Sequence, residues 1–134
     1  MKEALKHFKD LMTWRIAHQL VLEVYRASAR FPQVEKFVLV SQMNRSALSI
    51  TSNIAEGFGR ESYKEKAHFY VMAKGSLHEL ENQIMLAYDL SYISEDVNRT
   101  IIGMITSNHK LLNALIKKTR DIQGKQTRLF VSKF

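Results

Sequence analysis

Residues that break regular structure are rare in this sequence, because only five glycines and one proline occur among its 134 residues. A long chain with so few turn-forming residues favours a few long helices over many short strands. Its length is typical of one domain, and no internal repeat or linker divides it. The absence of cysteine excludes disulfide bonds and thiolate chemistry. We therefore expect a single helical domain over residues 1–134.

Apolar residues recur at steps of three and four in four segments, at about residues 10–29, 35–56, 62–90 and 94–123. This spacing places them on one face of a helix, so each segment can bury one side. The connections are short, and short connections make consecutive helices antiparallel neighbours. The sequence therefore predicts an all-α fold, an antiparallel up-down-up-down four-helix bundle.

Polar residues mark the predicted helix starts. Asp10 is a candidate N-cap of the first helix, because its carboxylate can accept bonds from unpaired backbone amides. Ser62 and Glu65 have the spacing of a capping box, which predicts the start of the third helix. The fourth is expected to begin near Ser94.

Proline and glycine mark the predicted helix ends. Pro32 ends the first helix, because it keeps the preceding residue out of the α region. Gly57 and Gly59 are expected to close the second helix, and Gly124 the fourth, since glycine is favoured just beyond a helix C-terminus. The remaining residues, 124–134, form a basic C-terminal tail with apolar residues interleaved.

The termini and the hydropathy pattern bear on location. The N-terminal residues lack the apolar stretch of a secretory signal. The longest apolar runs are far shorter than the roughly 20 residues needed to cross a bilayer. We therefore expect a soluble, cytoplasmic protein without a membrane partner.

The formal net charge of +7 points to an acidic partner. In an up-down bundle, most of this charge falls at the end that holds the start of helix 1, the helix 2–3 connection and the end of helix 4. Such a surface fits the phosphate backbone of RNA or DNA, although lysines late in a helix also occur as a solvated face that matches the helix dipole. The candidate nucleic-acid-binding residues are Arg60, Lys64, Lys66, Lys117, Lys118, Arg120, Lys125, Arg128 and Lys133.

The second helix carries a polar stripe beside its apolar one. Its residue types suit a hydrogen-bonded contact between helices or between subunits better than a solvated face. Glu56 opposes the dipole at the helix C-terminus, so we expect Arg45 or Arg60 to pair with it. A catalytic carboxylate is the alternative, but the motif offers no second acid or histidine. The assembly motif comprises Gln42, Arg45, Ser49, Asn53, Glu56 and Gly57.

Metal and cofactor sites are not expected. A di-iron site in a bundle needs two Glu-x-x-His motifs, and the sequence has one, at Glu65 and His68. Glu65 is also explained by the capping box. The other histidines are scattered singly, so we expect them on the surface or satisfied within the core. The sequence predicts no catalytic residue and no cofactor.

Several motifs together resemble one family, the four-helix bundle proteins, also called 23S rRNA intervening-sequence proteins. The motifs are Phe8-Lys9-Asp10-Leu11-Met12-Thr13-Trp14, Phe31-Pro32, Gln42 and Arg45 with Ser49-Ile50-Thr51-Ser52-Asn53-Ile54-Ala55-Glu56-Gly57-Phe58-Gly59-Arg60, and Phe69 with Ala73-Lys74-Gly75-Ser76-Leu77 and Glu79-Leu80-Glu81. The resemblance covers nearly the whole chain. The sequence differs from the family at Thr51, where many relatives have proline.

The resemblance implies a bacterial protein that assembles into a homopentameric ring and associates with nucleic acid. It also implies a relation to the accessory protein of diversity-generating retroelements, which partners a reverse transcriptase. Two functions then compete. One is a non-enzymatic oligomeric module that binds nucleic acid through the basic end. The other is an assembly scaffold that binds only protein. Binding of the basic, apolar tail to a membrane surface is a third and weaker reading, because the tail is short.

Overall fold

The computed structural model describes residues 5–132, with side chains for residues 5–127. Four α-helices fill most of this range, and the short 3-10 helices Phe8–Asp10 and Gln33–Glu35 precede the first two. The α-helices are α1 (Met12–Ser28), α2 (Leu39–Gly59), α3 (Tyr63–Asp89) and α4 (Glu95–Ser132). No β-strand occurs in the described range, and the predicted all-α class is confirmed.

The helices form an antiparallel bundle in which each helix has two neighbours. Cα atoms of α1 and α2, α2 and α3, α3 and α4, and α1 and α4 approach within 8 Å. Across residues 5–132, the diagonal pairs α1–α3 and α2–α4 make no such approach. The predicted four-helix bundle is therefore confirmed, with α4 lying between α1 and α3.

Each helix buries the face that its apolar spacing predicted. Burial of a leucine or isoleucine side chain contributes about 1.5–3 kcal/mol, so this face provides most of the driving force for folding. The fully buried large apolar side chains are Leu20, Val24, Met43, Ile50, Ile54, Leu77, Leu80, Ile84, Ile101, Ile105 and Leu112. Asn108 is also fully buried, and its Nδ2 donates to the Met104 carbonyl at 2.9 Å. The apolar pattern did not predict this polar core residue.

Serine side chains cap the last two helices, at the predicted starts. The Ser62 hydroxyl accepts a hydrogen bond from the Glu65 amide at 3.1 Å and donates to the Glu65 carboxylate at 3.3 Å. The Ser94 hydroxyl accepts from the Val97 amide at 3.2 Å. These bonds satisfy amides that a helix start otherwise leaves unpaired.

The first two helices begin later than the sequence predicted. Asp10 is not the N-cap of α1, because its carboxylate accepts from the amides of Lys6 and His7 and so caps the preceding 3-10 turn. These backbone bonds hold the pKa of Asp10 below its usual value. The second helix begins at Leu39 instead of 35. Glu35 lies in the 3-10 turn before it, where it accepts a hydrogen bond from the Tyr92 hydroxyl at 2.9 Å.

Gly57 lies inside α2, so the prediction that it closes the helix is wrong. It is buried, and a Cβ at this position would lie 2.7 Å from Cε1 of Tyr70 and 3.1 Å from the Lys66 carbonyl oxygen. The glycine therefore allows α3 to approach α2 closely. The helix ends two residues later at Gly59, which is the outcome expected for that glycine, with Arg60 as an extended C-cap residue.

The fourth helix continues past Gly124 to Ser132, so the predicted end at Gly124 is wrong and much of the predicted tail is helical. A glycine inside a helix costs only about 1 kcal/mol, and good helix formers surround it here. A helix of 38 residues is about 57 Å long, against about 40 Å for the 27 residues of α3. The last turns of α4 therefore extend beyond α3.

No helix within the described range is long and apolar enough to cross a membrane.

Candidate nucleic-acid interface

The end of α4 carries exposed cations that other charges leave uncompensated. Lys118, Arg120 and Lys125 are exposed. Across residues 5–127, none of these side chains forms a salt bridge. Lys117 is exposed too, but its amine lies 3.0 Å from the Asp121 carboxylate. We call Lys118, Arg120 and Lys125 the free basic cluster. Lys118 and Lys125, seven residues apart, share one face of α4, and Arg120 lies on another face of the same turns.

The register of the bundle places this cluster at the predicted end. His109 Nε2 lies 3.6 Å from Glu81 Oε1, which pairs the middle of α4 with the second half of α3. Because the helices are antiparallel, the later turns of α4 run beside the first turns of α3, next to the α2–α3 connection. The free basic cluster therefore lies at the same end as Lys64, which is exposed in the first turn of α3.

Lys66 has a structural role at this end. Its amine donates to the Phe58 carbonyl at 2.6 Å and lies 5.4 Å from the centre of the Phe58 ring. This bond satisfies a carbonyl in the last turn of α2, where a positive charge is favoured by the helix dipole. Partial burial lowers the pKa of the Lys66 amine. The Lys66 amine is therefore engaged within the chain and is less available to a ligand than its sequence position predicted.

Arg60 is partly compensated as well. Its guanidinium lies 3.1 Å from the Glu56 carboxylate and 4.6 Å from the centre of the Phe69 ring. The predicted partner of Glu56 is thus Arg60, and the alternative partner, Arg45, is exposed elsewhere on α2. Glu56 neutralises charge at the basic end, which shifts the centre of positive charge towards α4.

Two of the predicted basic residues have no described side chain. Arg128 belongs to the helical part of α4, and its backbone continues the line of Lys125. Lys133 lies outside the described residues.

The polar stripe of α2 joins helices within one chain. The hydroxyls of Ser49 and Ser76 are 2.8 Å apart, which connects α2 to α3. Asn53 supports this contact by donating to the Ser49 hydroxyl at 3.1 Å and to the Ser49 carbonyl at 2.9 Å. The rest of the stripe differs, because Gln42 and Arg45 are exposed. Within the stripe, Ser49 thus contacts another helix, both bonds of Asn53 stay within α2, and the proposed role of the stripe in assembly stays a prediction.

Charges at the opposite end are mixed. Arg99 contacts the carboxylates of Glu95 and Asp96 at 3.3 and 3.2 Å. Arg26 contacts the carboxylate of Glu23 at 3.0 Å. Arg30 and Lys36 are exposed at this end without a salt bridge in the described range, and the exposed Asp89 offsets part of their charge.

One group of residues was missed by the sequence analysis. His78 and Glu81 of α3 and His109 of α4 lie together on the surface of the bundle. The expectation that these histidines are scattered singly is therefore wrong, since the rings of His78 and His109 are 4.5 Å apart. The one signal in the sequence is the three-residue spacing of His78 and Glu81, because three residues are about one helical turn.

Comparison with known proteins places the fold. A solved structure of similar fold is that of a protein of unknown function from the S23 ribosomal protein family of Bacteroides thetaiotaomicron VPI-5482, with a TM-score of 0.72 and 23% sequence identity. The similarity covers 79% of this chain and 99% of that chain, and at this identity it shows the fold alone. No curated protein matches the sequence.

A family model described as 23S rRNA-intervening sequence protein matches residues 9–114. The match includes the whole of α1, α2 and α3 and ends within α4, before the free basic cluster. It also includes the Asn53–Gly57 motif and the histidine pair. Because it spans well over half of the sequence, the chain belongs to the 23S rRNA-intervening sequence protein family.

Proposed function

We propose that this protein is a non-enzymatic, oligomeric binding module that holds the backbone of a nucleic acid against the basic end of its bundle. The observation that carries the proposal is the free basic cluster. Its three side chains are exposed, unpaired among the described residues, and fixed to one continuous helix. Cations that are not paired within the chain are available to bind a phosphate group.

The geometry of α4 suits a phosphate backbone. Lys118 and Lys125 are seven residues apart, which is about 10 Å along a helix. Both lie on long, flexible stems that can follow phosphates without reading bases. Binding of this kind releases counterions and is largely independent of sequence. Lys64, exposed in the first turn of α3, lies at the same end of the bundle.

The family description supports RNA as the first ligand to test, because it refers to 23S rRNA. DNA presents the same phosphate charge, so the proposal concerns the backbone of either polymer. A short RNA and a DNA of matched length and sequence therefore belong in the same experiment.

The direct test is a charge reversal with a matched control. The double variant Lys118→Glu and Arg120→Glu changes the net charge by the same amount as Arg30→Glu with Lys36→Glu, whose side chains are exposed at the opposite end. We expect the first pair to weaken binding of a labelled RNA by roughly tenfold or more and the second pair to have little effect. Equal weakening by both pairs would show that only net charge matters, and the proposed location would be wrong.

Assembly without nucleic acid is the second candidate, and one observation favours it. Large apolar side chains are exposed on the single chain, including Phe37 at 84%, Val34 at 78% and Val38 at 61%. A cluster of this kind is typical of a protein–protein contact. A protein-only scaffold would purify without nucleic acid, as an oligomer with the absorbance ratio of pure protein. Co-purification of nucleic acid that high salt removes would favour the binding module.

A further inference from the structure

We propose that α3 and α4 together form a zinc-binding site whose ligands are His78, Glu81 and His109. The three side chains each present one ligand atom, and these atoms all lie within 4.8 Å of one another. The site lies on the side of the bundle, midway along α4. It is independent of the free basic cluster and of the proposed function.

The backbone explains why the three residues meet. His78 and Glu81 are separated by three positions on α3, so both side chains leave the helix on the same face. That face lies beside α4, where the antiparallel register places His109. Two ligands from one helix and one from its neighbour would tie the two helices together.

The distances between the three ligand atoms are close to those between the ligands of a bound zinc ion. Glu81 Oε1 lies 3.9 Å from His78 Nδ1 and 3.6 Å from His109 Nε2. Zinc binds nitrogen and oxygen ligands at about 2.0–2.2 Å, so two ligands of a tetrahedral site lie about 3.3 Å apart. Small rotations of the exposed His78 and Glu81 side chains would bring the three atoms to that separation.

The donor set also suits zinc. Two imidazole nitrogens and one carboxylate oxygen form a ligand set known for zinc, with a fourth position left for water. His78 and Glu81 are 59% and 36% exposed, so an ion can reach the site from solvent. His109 is 19% exposed, and its Nε2 is buried without a hydrogen-bond partner among the described residues.

The surroundings of His109 shift the pKa of its imidazole in opposite directions. Burial, followed by the neighbouring His78, lowers the pKa of the His109 imidazole, while Glu81 opposes this change. Lys74 lies four residues before His78 on α3, so it shares the helix face of the site, and its positive charge opposes binding of a cation. Removal of the Lys74 charge should therefore strengthen zinc binding.

The test is calorimetric titration of zinc into protein that has been treated with a chelator and dialysed. We expect one ion per chain for the unmodified protein, and a loss of affinity of roughly 100-fold or more for His109→Gln. His68→Gln is the control, because His68 is an exposed histidine of α3, the helix that also carries His78, and this variant should bind zinc as the unmodified protein does. Lys74→Gln should bind more tightly.

Cobalt provides a measurement that does not depend on a variant that folds. The unmodified protein should give the visible absorption bands of four-coordinate cobalt, and zinc should remove them. The proposal is overturned if the unmodified protein takes up no zinc. It is also overturned if His109→Gln, with an unchanged far-UV spectrum, binds as tightly as the unmodified protein, because the zinc would then be held elsewhere.

Discussion

At Gly57, α2 and α3 come so close that the residue type is determined by contact distance. Tyr70 faces the glycine and is 97% buried, with 3% of its surface exposed. Burial raises the pKa of the Tyr70 hydroxyl to about 12, which agrees with a ring held away from water. Gly57 was predicted to end the helix, because the sequence does not show which neighbouring residue approaches it.

Substitution of Gly57 by alanine should therefore destabilise the fold. A Cβ at 2.7 Å from the Tyr70 ring forces the ring or the helix to move, and overpacking of this kind costs about 1–3 kcal/mol. Gly103→Ala is the matched control, since Gly103 lies within α4 with no atom within 4 Å of its added Cβ. Alanine there should raise the free energy of unfolding by about 0.5–1 kcal/mol. Urea denaturation measures both, and a Gly57→Ala protein as stable as Gly103→Ala would contradict the contact.

At the scale of the elements, apolar periodicity predicted the four helices because each helix buries one face of a common core. The ends of the helices were predicted less well than the helices themselves, because a single residue at a helix end can have two roles. Asp10 can cap either a 3-10 turn or an α-helix, and Gly124 can either end a helix or lie within one. Tertiary contacts and neighbouring propensities decide between such roles, and the apolar pattern contains neither.

The same limit applies to the candidate sites. The basic end was predictable from topology, since the order of antiparallel helices determines which termini share an end. The pairing of Lys66 with the Phe58 carbonyl and of His109 with Glu81 was not, because both depend on the exact register between helices. Residues that act within one helix are thus easier to predict than residues that meet across two.

The continuation of α4 past Gly124 makes a prediction of its own. Gly124→Pro should break or kink the helix, because proline lacks the amide hydrogen and clashes with the preceding turn. RNA affinity should then fall, since Lys125 and Arg128 would no longer extend the line of Lys118. The far-UV helical signal should also decrease.

Gly124→Ala provides the control, because alanine keeps the helix and should retain affinity. Little change in global stability is expected from the proline variant, since Thr119 is the last buried residue of α4 among those whose side chains are described. Equal RNA affinity for the proline and alanine variants would show that the helical form of this segment is not used in binding.

At the scale of the whole molecule, the free basic cluster lies at one end of the bundle, and the ion pairs of Arg26 and Arg99 lie at the other. The α2–α3 connection and the last turns of α4 meet at the first of these ends. In an oligomer whose chains share a rotation axis, these ends would repeat around one ring face. Several weak backbone contacts would then act together on one polymer, which raises the overall affinity without any new contact.

The salt dependence of binding tests this account most directly. Each contact to a single-stranded backbone contributes about 0.7 to the slope of log K against log salt concentration. For a single-stranded RNA, the three residues of the free basic cluster predict a slope of about −2 or steeper, and Lys118→Glu with Arg120→Glu should make it shallower by about 1.4. Binding that is unaffected by salt, or a slope that the double variant leaves unchanged, would contradict the assignment of the basic end of α4 as a nucleic-acid interface.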